Sequence, residues 1–406
     1  MIEGVLGRVQ AGDLDPVRLM GVVNLSRESF YKGSVAGPEA ALPLARTMQE
    51  EGADLIDLGA VSTALGSPTI SESEERERLI PALKEILKNL DIDVSVDTQR
   101  ARIAEEALAL GATCINDVSG LLDQKMAATV ADHDASLVIM ASRRRPGDLL
   151  GMAEIIALLG ERMRAAIEAG VTRQKIAVDP GVGKWIPEKA PAYDLAILDG
   201  FRRLRSLGRP VVAAISRKSF IGACLGQPDP AKRLAGTLAA TAIAVYNGAH
   251  VVRTHDVALS LETVRMSKAV RGLPASARKD EIDVEVLGHL GEGFDLAETL
   301  RRAEVDERGI ERLCRKGSFR VLAVRGLNSM EALVIKQEML ARGGDSAIPK
   351  LALRCDPRPM SVLIFGTDSQ ISGLEKNLKS QPFRLAMVGE AVSEALRQME
   401  SHERYR

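Results

Sequence analysis

Asp57, Asp97 and Asp179 each stand at or near the end of a short apolar run, and Asn116 closes another in the same way. A carboxylate only accepts hydrogen bonds, whereas an amide both donates and accepts. Gathered together, these groups suit the edge of a flat heterocycle that carries several N–H donors and a carbonyl. Taken singly, each aspartate reads as the N-cap of a helix that follows a strand, as Asp97 before Thr98 would. Lys218 lies in SRKS after the apolar run VVAAI, where its ammonium suits a pocket carboxylate or a substrate carbonyl. Arg217 beside it makes a pair of cations, which elsewhere is usually a solvated surface. Arg253 and His255 flank Thr254, and a guanidinium with an imidazole suits a phosphate or pyrophosphate. Asn24 heads a loop containing Glu28, Phe30 and Gly33, and hard oxygen atoms near a pyrophosphate suggest Mg²⁺ held largely by water and substrate oxygens.

Those residues can meet only if the elements carrying them converge. Between residues 18 and 256 the chain repeats one unit eight times: an apolar stretch, a polar residue, then a helical segment. The stretches are RLMGVVN, DLIDLG, DVSVDT, TCIND, SLVIM, KIAVDP, VVAAISRKS and HVVRTHD. Strands without in/out alternation suit parallel strands buried on both faces. Closed into an α/β (β/α)8 TIM barrel, their C-terminal ends share one rim; an open doubly wound sheet is the competing architecture. The helices carry their own marks. Ala41, Leu44, Ala45 and Met48 recur at helical spacing after Pro38, and Ser71 with Glu74 fits a capping box before Leu79, Leu83 and Ile86. Helices are also expected over 121–132, 193–206 and 232–247.

A polar, charged stretch at 272–283 breaks the repeat, so the barrel is expected over 1–272 and a small C-terminal α/β domain over 284–406, with a charged helical connector near 296–314. The chain's 406 residues suit such a pair of domains. With 54 Lys+Arg against 55 Asp+Glu, the net charge of -1 supplies no field toward nucleic acid or an anionic membrane. Aromatic residues at 3% argue against base-stacking platforms. The first ten residues carry Glu3 and Arg8, and no apolar run approaches a membrane span, so a cytoplasmic protein is expected. Cys114, Cys224, Cys314 and Cys355 are too scattered for a close metal pair and read as reduced, mostly buried thiols. No nucleotide-binding glycine motif, P-loop or zinc-protease motif is present.

The segments MGVVNLSRESF (20–30), GADLIDLGAVST (52–63), SVDT (95–98), INDVSG (115–120), DPGVG (179–183), SRKSFIG (216–222) and VRTHDV (252–257) resemble the dihydropteroate synthase family of pterin-binding barrels, in that family's order. The resemblance implies that C9 of a 6-hydroxymethyl-dihydropterin diphosphate passes to an aromatic amine with release of pyrophosphate. It further implies that Asp97, Asn116, Asp179 and Lys218 grip the pterin, that Asn24, Arg253 and His255 hold the diphosphate with Mg²⁺, that Ser219 borders the amine and that Asp57 supports the site. A homodimer is implied too.

Departures fall in the loops. Arg27-Glu28 and Ala64-Leu65 replace the family's Pro-Asp and Arg-Pro, and Met140-Ala141-Ser142 replaces its Met-His-Met. NLSRESFYKGS and GKWIPEKAPAYD are instead similar to the archaeal branch associated with tetrahydromethanopterin, whose acceptor is a ribofuranosylaminobenzene phosphate; Arg143, Arg144 and Arg145 would then meet that phosphate. Residues 332–348 and 378–385 are similar to a small domain that precedes the barrel in some members. Two further readings are a pterin-dependent methyltransferase, which needs no diphosphate site, and a non-catalytic pterin-binding paralogue.

Overall fold

A computed structural model describes residues 2–26, 38–62, 66–68, 70–272, 276–290, 300, 306–382 and 384–403. The departures at Arg27-Glu28 and Ala64-Leu65, with Phe30 and Gly33, lie outside those residues. The chain divides into two compact units, Ile2–Gly272 and Leu273–Arg406.

The first unit opens with a hairpin, β1 (Glu3–Leu6) and β2 (Val9–Gly12). Eight strands follow: β3 (Arg18–Asn24), β4 (Leu55–Gly59), β5 (Asp93–Asp97), β6 (Cys114–Asp117), β7 (Ser136–Met140), β8 (Ile176–Asp179), β9 (Val212–Ala214) and β10 (Val251–Thr254). Helices α1 (Pro38–Glu50), α2 (Glu72–Asn89), α3 (Ala101–Leu110), α4 (Met126–Asp132), α5 (Met152–Glu168), α6 (Pro191–Asp199), α7 (Ser219–Leu225), α8 (Leu234–Tyr246) and α9 (Val257–Arg271) alternate with them. The strands pair in parallel in the order β8-β7-β6-β5-β4-β3-β10-β9. One isolated parallel bridge, Val178 to Val211, joins the two ends, and the Val178 N–H donates to the Pro210 carbonyl at 2.9 Å. That closes the expected barrel and removes the open-sheet alternative.

Both faces of the strands are buried, which is why their sequences do not alternate. Outside, Leu19, Ile56, Val94, Ile115 and Leu137 pack against the helices; inside, Met20, Leu55, Cys114, Val138, Ala177, Val212 and Val251 form one layer, sealed below by Leu6 and Ala11 of the hairpin. Asp13 pins that hairpin. Its carboxylate accepts the Ile2 N–H at 2.7 Å, an Arg205 N–H at 3.1 Å and the His250 Nε2–H at 3.2 Å. The Val211 N–H donates to His250 Nδ1 at 3.2 Å, which fixes the tautomer of a neutral ring whose pKa burial lowers.

The second unit starts earlier than residue 284. Strands β11 (Ser276–Lys279) and β12 (Ile282–Leu290) form a hairpin in the stretch read as a boundary. Arg278, Lys279, Asp280 and Asp283 gave that stretch its charge, but Ala277, Ile282 and Val284 between them are buried, and Asp280 turns the chain at φ 50°. With β13 (Phe319–Leu327), β14 (Asp345–Ala347) and β15 (Met360–Thr367) they make an antiparallel sheet in the order β11-β12-β13-β15-β14. β13 and β14 are joined by the helix Ser329–Ala341 and lie on either side of β15, a split βαβ unit. Glu307–Gly317, expected in a connector, packs on β15 and on the helix Asp368–Lys379. The unit has its own core, centred on Ile282, Leu322, Ile335, Ile364, Leu374 and Val388. Of the cysteines only Cys114 is buried, with its thiol pushed up to about 12; Cys224 and Cys355 are exposed, against the expectation of mostly buried thiols. Among the described residues no helix is long and apolar enough to cross a membrane.

Candidate active site

The strand ends surround a cavity of about 500 Å³. Asn24 from β3, Asp97 from β5, Asn116 from β6 and Asp179 from β8 line it, with Lys218 and Ser219 after β9, Arg253 from β10 and His255 just after it. Asp57, expected to contact substrate, is the exception: it is 0% exposed and lies behind the lining.

A charge lattice crosses the floor. Arg253 Nε donates to Asp57 Oδ2 at 2.6 Å and its Nη2 donates to Asp97 Oδ2 at 2.9 Å. Asn116 Nδ2 donates to the same Asp57 oxygen at 3.1 Å. Burial pushes the Asp97 carboxyl up to about 7; Arg253 opposes this, and the charge of Asp57 adds to it. Arg253 itself is held above the usual guanidinium range: burial opposes its charge, but Asp57 and Asp97 outweigh that.

On the opposite side Asp179 and Lys218 face each other. Burial raises Asp179, against the pull of Lys218, and its Oδ1 accepts the Gly181 N–H at 2.7 Å. Burial lowers Lys218 to about 8, with Asp179 opposing. The Lys218 ammonium donates to the Val182 carbonyl and sits 4.8 Å from the centre of the Trp185 ring. The loop supplying that carbonyl is held from below: Lys189, 1% exposed, donates to the Gly181 carbonyl at 2.6 Å and pairs with Asp194 at 3.2 Å, while Asp194 accepts the Gly183 N–H at 2.9 Å. Gly183 has φ 121°, and a Cβ there would lie 2.9 Å from Lys218 Cδ.

The two cations of SRKS separate. Arg217 adopts φ 57°, and its guanidinium grips Asp256 at 2.6 and 2.8 Å and the carbonyls of Pro230 and Ala231 at 3.0 and 2.8 Å. Arg233 donates to the Arg217 carbonyl at 3.0 Å and the Gln227 carbonyl at 2.9 Å. One arginine pair thus builds the wall, and only the lysine enters the cavity.

His255 meets Ser216 Oγ through Nδ1 at 2.9 Å, and burial, with Arg253, Arg217 and Lys218 nearby, pushes its pKa down to about 3. Burial and these cations therefore hold the imidazole neutral. Asn24 turns its Oδ1 to the Ser26 N–H at 2.9 Å. Arg143, Arg144 and Arg145 are exposed and do not line the cavity; the first two donate backbone N–H groups to Asp148 at 2.8 and 2.9 Å. Ser216, Trp185, Arg233 and the Lys189–Asp194 pair were not singled out from the sequence. Trp185 could have been, as the chain's 1 tryptophan standing just after DPGVG. Among the described residues no three His, Cys, Asp or Glu side chains are grouped to hold a metal.

The family described as pterin binding enzyme matches residues 20–255, which lie within the first unit. The dihydropteroate synthase of Bacillus subtilis (strain 168) is 38% identical over 256 residues, covering 62% of this chain and 88% of its own. A solved Xanthomonas albilineans dihydropteroate synthase with 4-aminobenzoic acid is 35% identical with a TM-score of 0.58, covering 66% of this chain and 96% of that one. The same enzyme with 7,8-dihydropteroate gives 34% and 0.57, over 64% and 96%.

Proposed function

Because the chain belongs to the pterin-binding enzyme family, we propose that it condenses 6-hydroxymethyl-7,8-dihydropterin diphosphate with p-aminobenzoate and releases pyrophosphate, the dihydropteroate synthase reaction. The carrying observation is the cavity's division of labour. Asp97, Asn116 and Asp179 offer acceptors to the N–H groups of the ring, and Lys218 offers one donor for its carbonyl. Arg253 and Asn24 lie at the same rim for the diphosphate. The C9–O bond breaks with its electron pair leaving on the diphosphate, the ring delocalises the positive charge left on C9, and the amine nitrogen then bonds C9 and loses a proton. A cationic Lys218 and Arg253 stabilise the charge as it moves, and no nucleophile of the protein is required.

The residues fit a magnesium ion held mainly by substrate: the Asn24 amide oxygen, which also accepts the Ser26 N–H, would be one hard ligand, and diphosphate oxygens and water would complete the shell. Such an ion would neutralise part of the leaving group's charge. The arginines at 143–145 stand outside the cavity lining, which favours p-aminobenzoate over a phosphorylated acceptor. The relatives found are synthases, so methyl transfer is set aside, and the cavity keeps Asn24, Lys218 and Arg253 of the expected diphosphate and pterin groups, which disfavours a non-catalytic paralogue. A cytoplasmic homodimer fits this reading. Ile243 and Tyr246 on α8 and Leu259, Met266 and Val270 on α9 are exposed on helices that pack side by side, an apolar surface suited to a second copy.

Pyrophosphate release tests the proposal, assayed with p-aminobenzoate or with the ribofuranosyl phosphate acceptor, each with and without Mg²⁺. Magnesium-dependent turnover with p-aminobenzoate is expected, and release with neither acceptor would sink it.

A further inference from the structure

Of the three strand-end aspartates expected to meet the ring, Asp57 is the one that does not line the cavity. It is fully buried, its Oδ2 accepts two hydrogen bonds, from Arg253 Nε at 2.6 Å and Asn116 Nδ2 at 3.1 Å, and its Oδ1 has no partner among the described residues. A lone buried carboxylate oxygen without a donor is costly, and here the neighbouring oxygen carries the whole task. Because a carboxylate cannot donate, the bond to Asn116 also decides which way that amide faces: its NH2 points down to Asp57 and its carbonyl is left for the cavity.

We propose that Asp57 is a positioning residue beneath the cavity floor, whose single engaged oxygen turns Asn116 into an acceptor toward the heterocycle and holds Arg253 so that Asp97 can be released to the same ring. The inference rests on the pterin reading above and deepens it. Arg253 is shared between Asp57 and Asp97. A ring that presents N–H donors to Asp97 competes with the guanidinium for that carboxylate, whose Oδ2 alone is engaged, and Asp57 continues to neutralise Arg253 as Asp97 turns to the ring. With Asp57 in place the wall becomes acceptor-only at Asp97, Asn116 and Asp179, which selects a heterocycle with an unbroken row of donors and rejects isosteres that present acceptors there.

Asp57→Asn keeps the shape and can still accept from Arg253, but removes the charge. Arg253 should then fall wholly to Asp97. Titrating 6-hydroxymethylpterin against wild type and D57N, followed by the fluorescence of Trp185, reads this without turnover. The expected result at pH 8 is binding weaker by about tenfold or more in D57N. The acid limb of the binding profile should also shift to lower pH by about a unit, since a neighbouring negative charge has been removed from Asp97. A purely structural role would lower the melting temperature without moving that limb. Matching affinities within twofold together with superimposed profiles would overturn the inference. Should D57N not fold, Asp57→Glu replaces it: with the charge kept but displaced, the limb should stay while affinity falls, and unchanged affinity would count against the proposal. Wild type that binds the pterin yet releases no pyrophosphate would overturn the reaction assigned above while leaving this result standing.

Discussion

Lys218 and Asp97 carry opposite requirements for protons. Asp97 must be ionised to accept from the ring, so kcat/KM for the pterin diphosphate should fall as pH drops through about 7. Lys218 must be protonated, so the same constant should fall as pH rises through about 8, leaving a narrow maximum between the two. Lys218→Arg keeps a cation that does not titrate in the assay range; the rate should drop, and the alkaline limb should disappear from the pH profile. A limb that persists in K218R would assign it to another group. His255, held near 3, should contribute no limb at all. Much at this scale was legible in the sequence, because a polar residue that ends an apolar run has one rim to occupy once the barrel closes. Asn24, Asp97, Asn116, Asp179, Lys218, Arg253 and His255 all reach it. What was not legible depended on depth and direction. Asp57 pairs with Ser95, two residues below the level of Asp97, and so lies under the lining, and Arg217 leaves the cavity because φ 57° reverses the side chain relative to Lys218.

Elements that hold those residues were legible in existence and less so at their ends. The capping box expected at Ser71 is half made: its side chain accepts the Glu74 N–H at 3.1 Å, while the Glu74 carboxylate pairs with Arg78. The helix expected over 193–206 is α6 followed by a separate 3-10 turn at Phe201–Leu207, divided at Gly200. Residues 121–125 stay outside α4 because Asp117 caps the backbone of Ser119 and Leu121 instead. The hairpin β1–β2 gave no signal beyond four-residue strands with weak alternation. The loop after β8 offers the most direct test of an element's part in the site. Gly183→Ala would place a Cβ 2.9 Å from Lys218 Cδ at φ 121°, so the ammonium must move or the loop must shift. Thermal melts should show a Tm lower by about 2–4 °C. Steady-state assays should show a larger loss in kcat/KM, and unchanged kinetics would mean the loop does not set the position of Lys218.

At the scale of the molecule, two cores with no shared residues account for two units, and the family match falls within the first. The end of the barrel at 272 agrees with the division observed, but the second unit was started late, at 284, because the charges at 278–283 were left out of it; a two-residue turn between Lys279 and Ile282 explains them better. Self-association belongs to the barrel helices in the reading given above. Met266, 66% exposed on α9, is its most exposed large apolar side chain. Met266→Glu should convert a dimer to monomer by sedimentation velocity while leaving pterin affinity intact, and an unaltered sedimentation coefficient would move the interface elsewhere.

The barrel's closure is uneven. Every neighbouring pair of strands shares a ladder except β8 and β9, which meet at Val178 and Val211 alone. Asp179 ends one of these strands and Lys218 follows the other. The two groups that must grasp a single ring therefore stand on opposite lips of the thinnest suture in the wall. A flat molecule bridging them would act as a stitch, tightening the cylinder at the place where its own backbone binds it least.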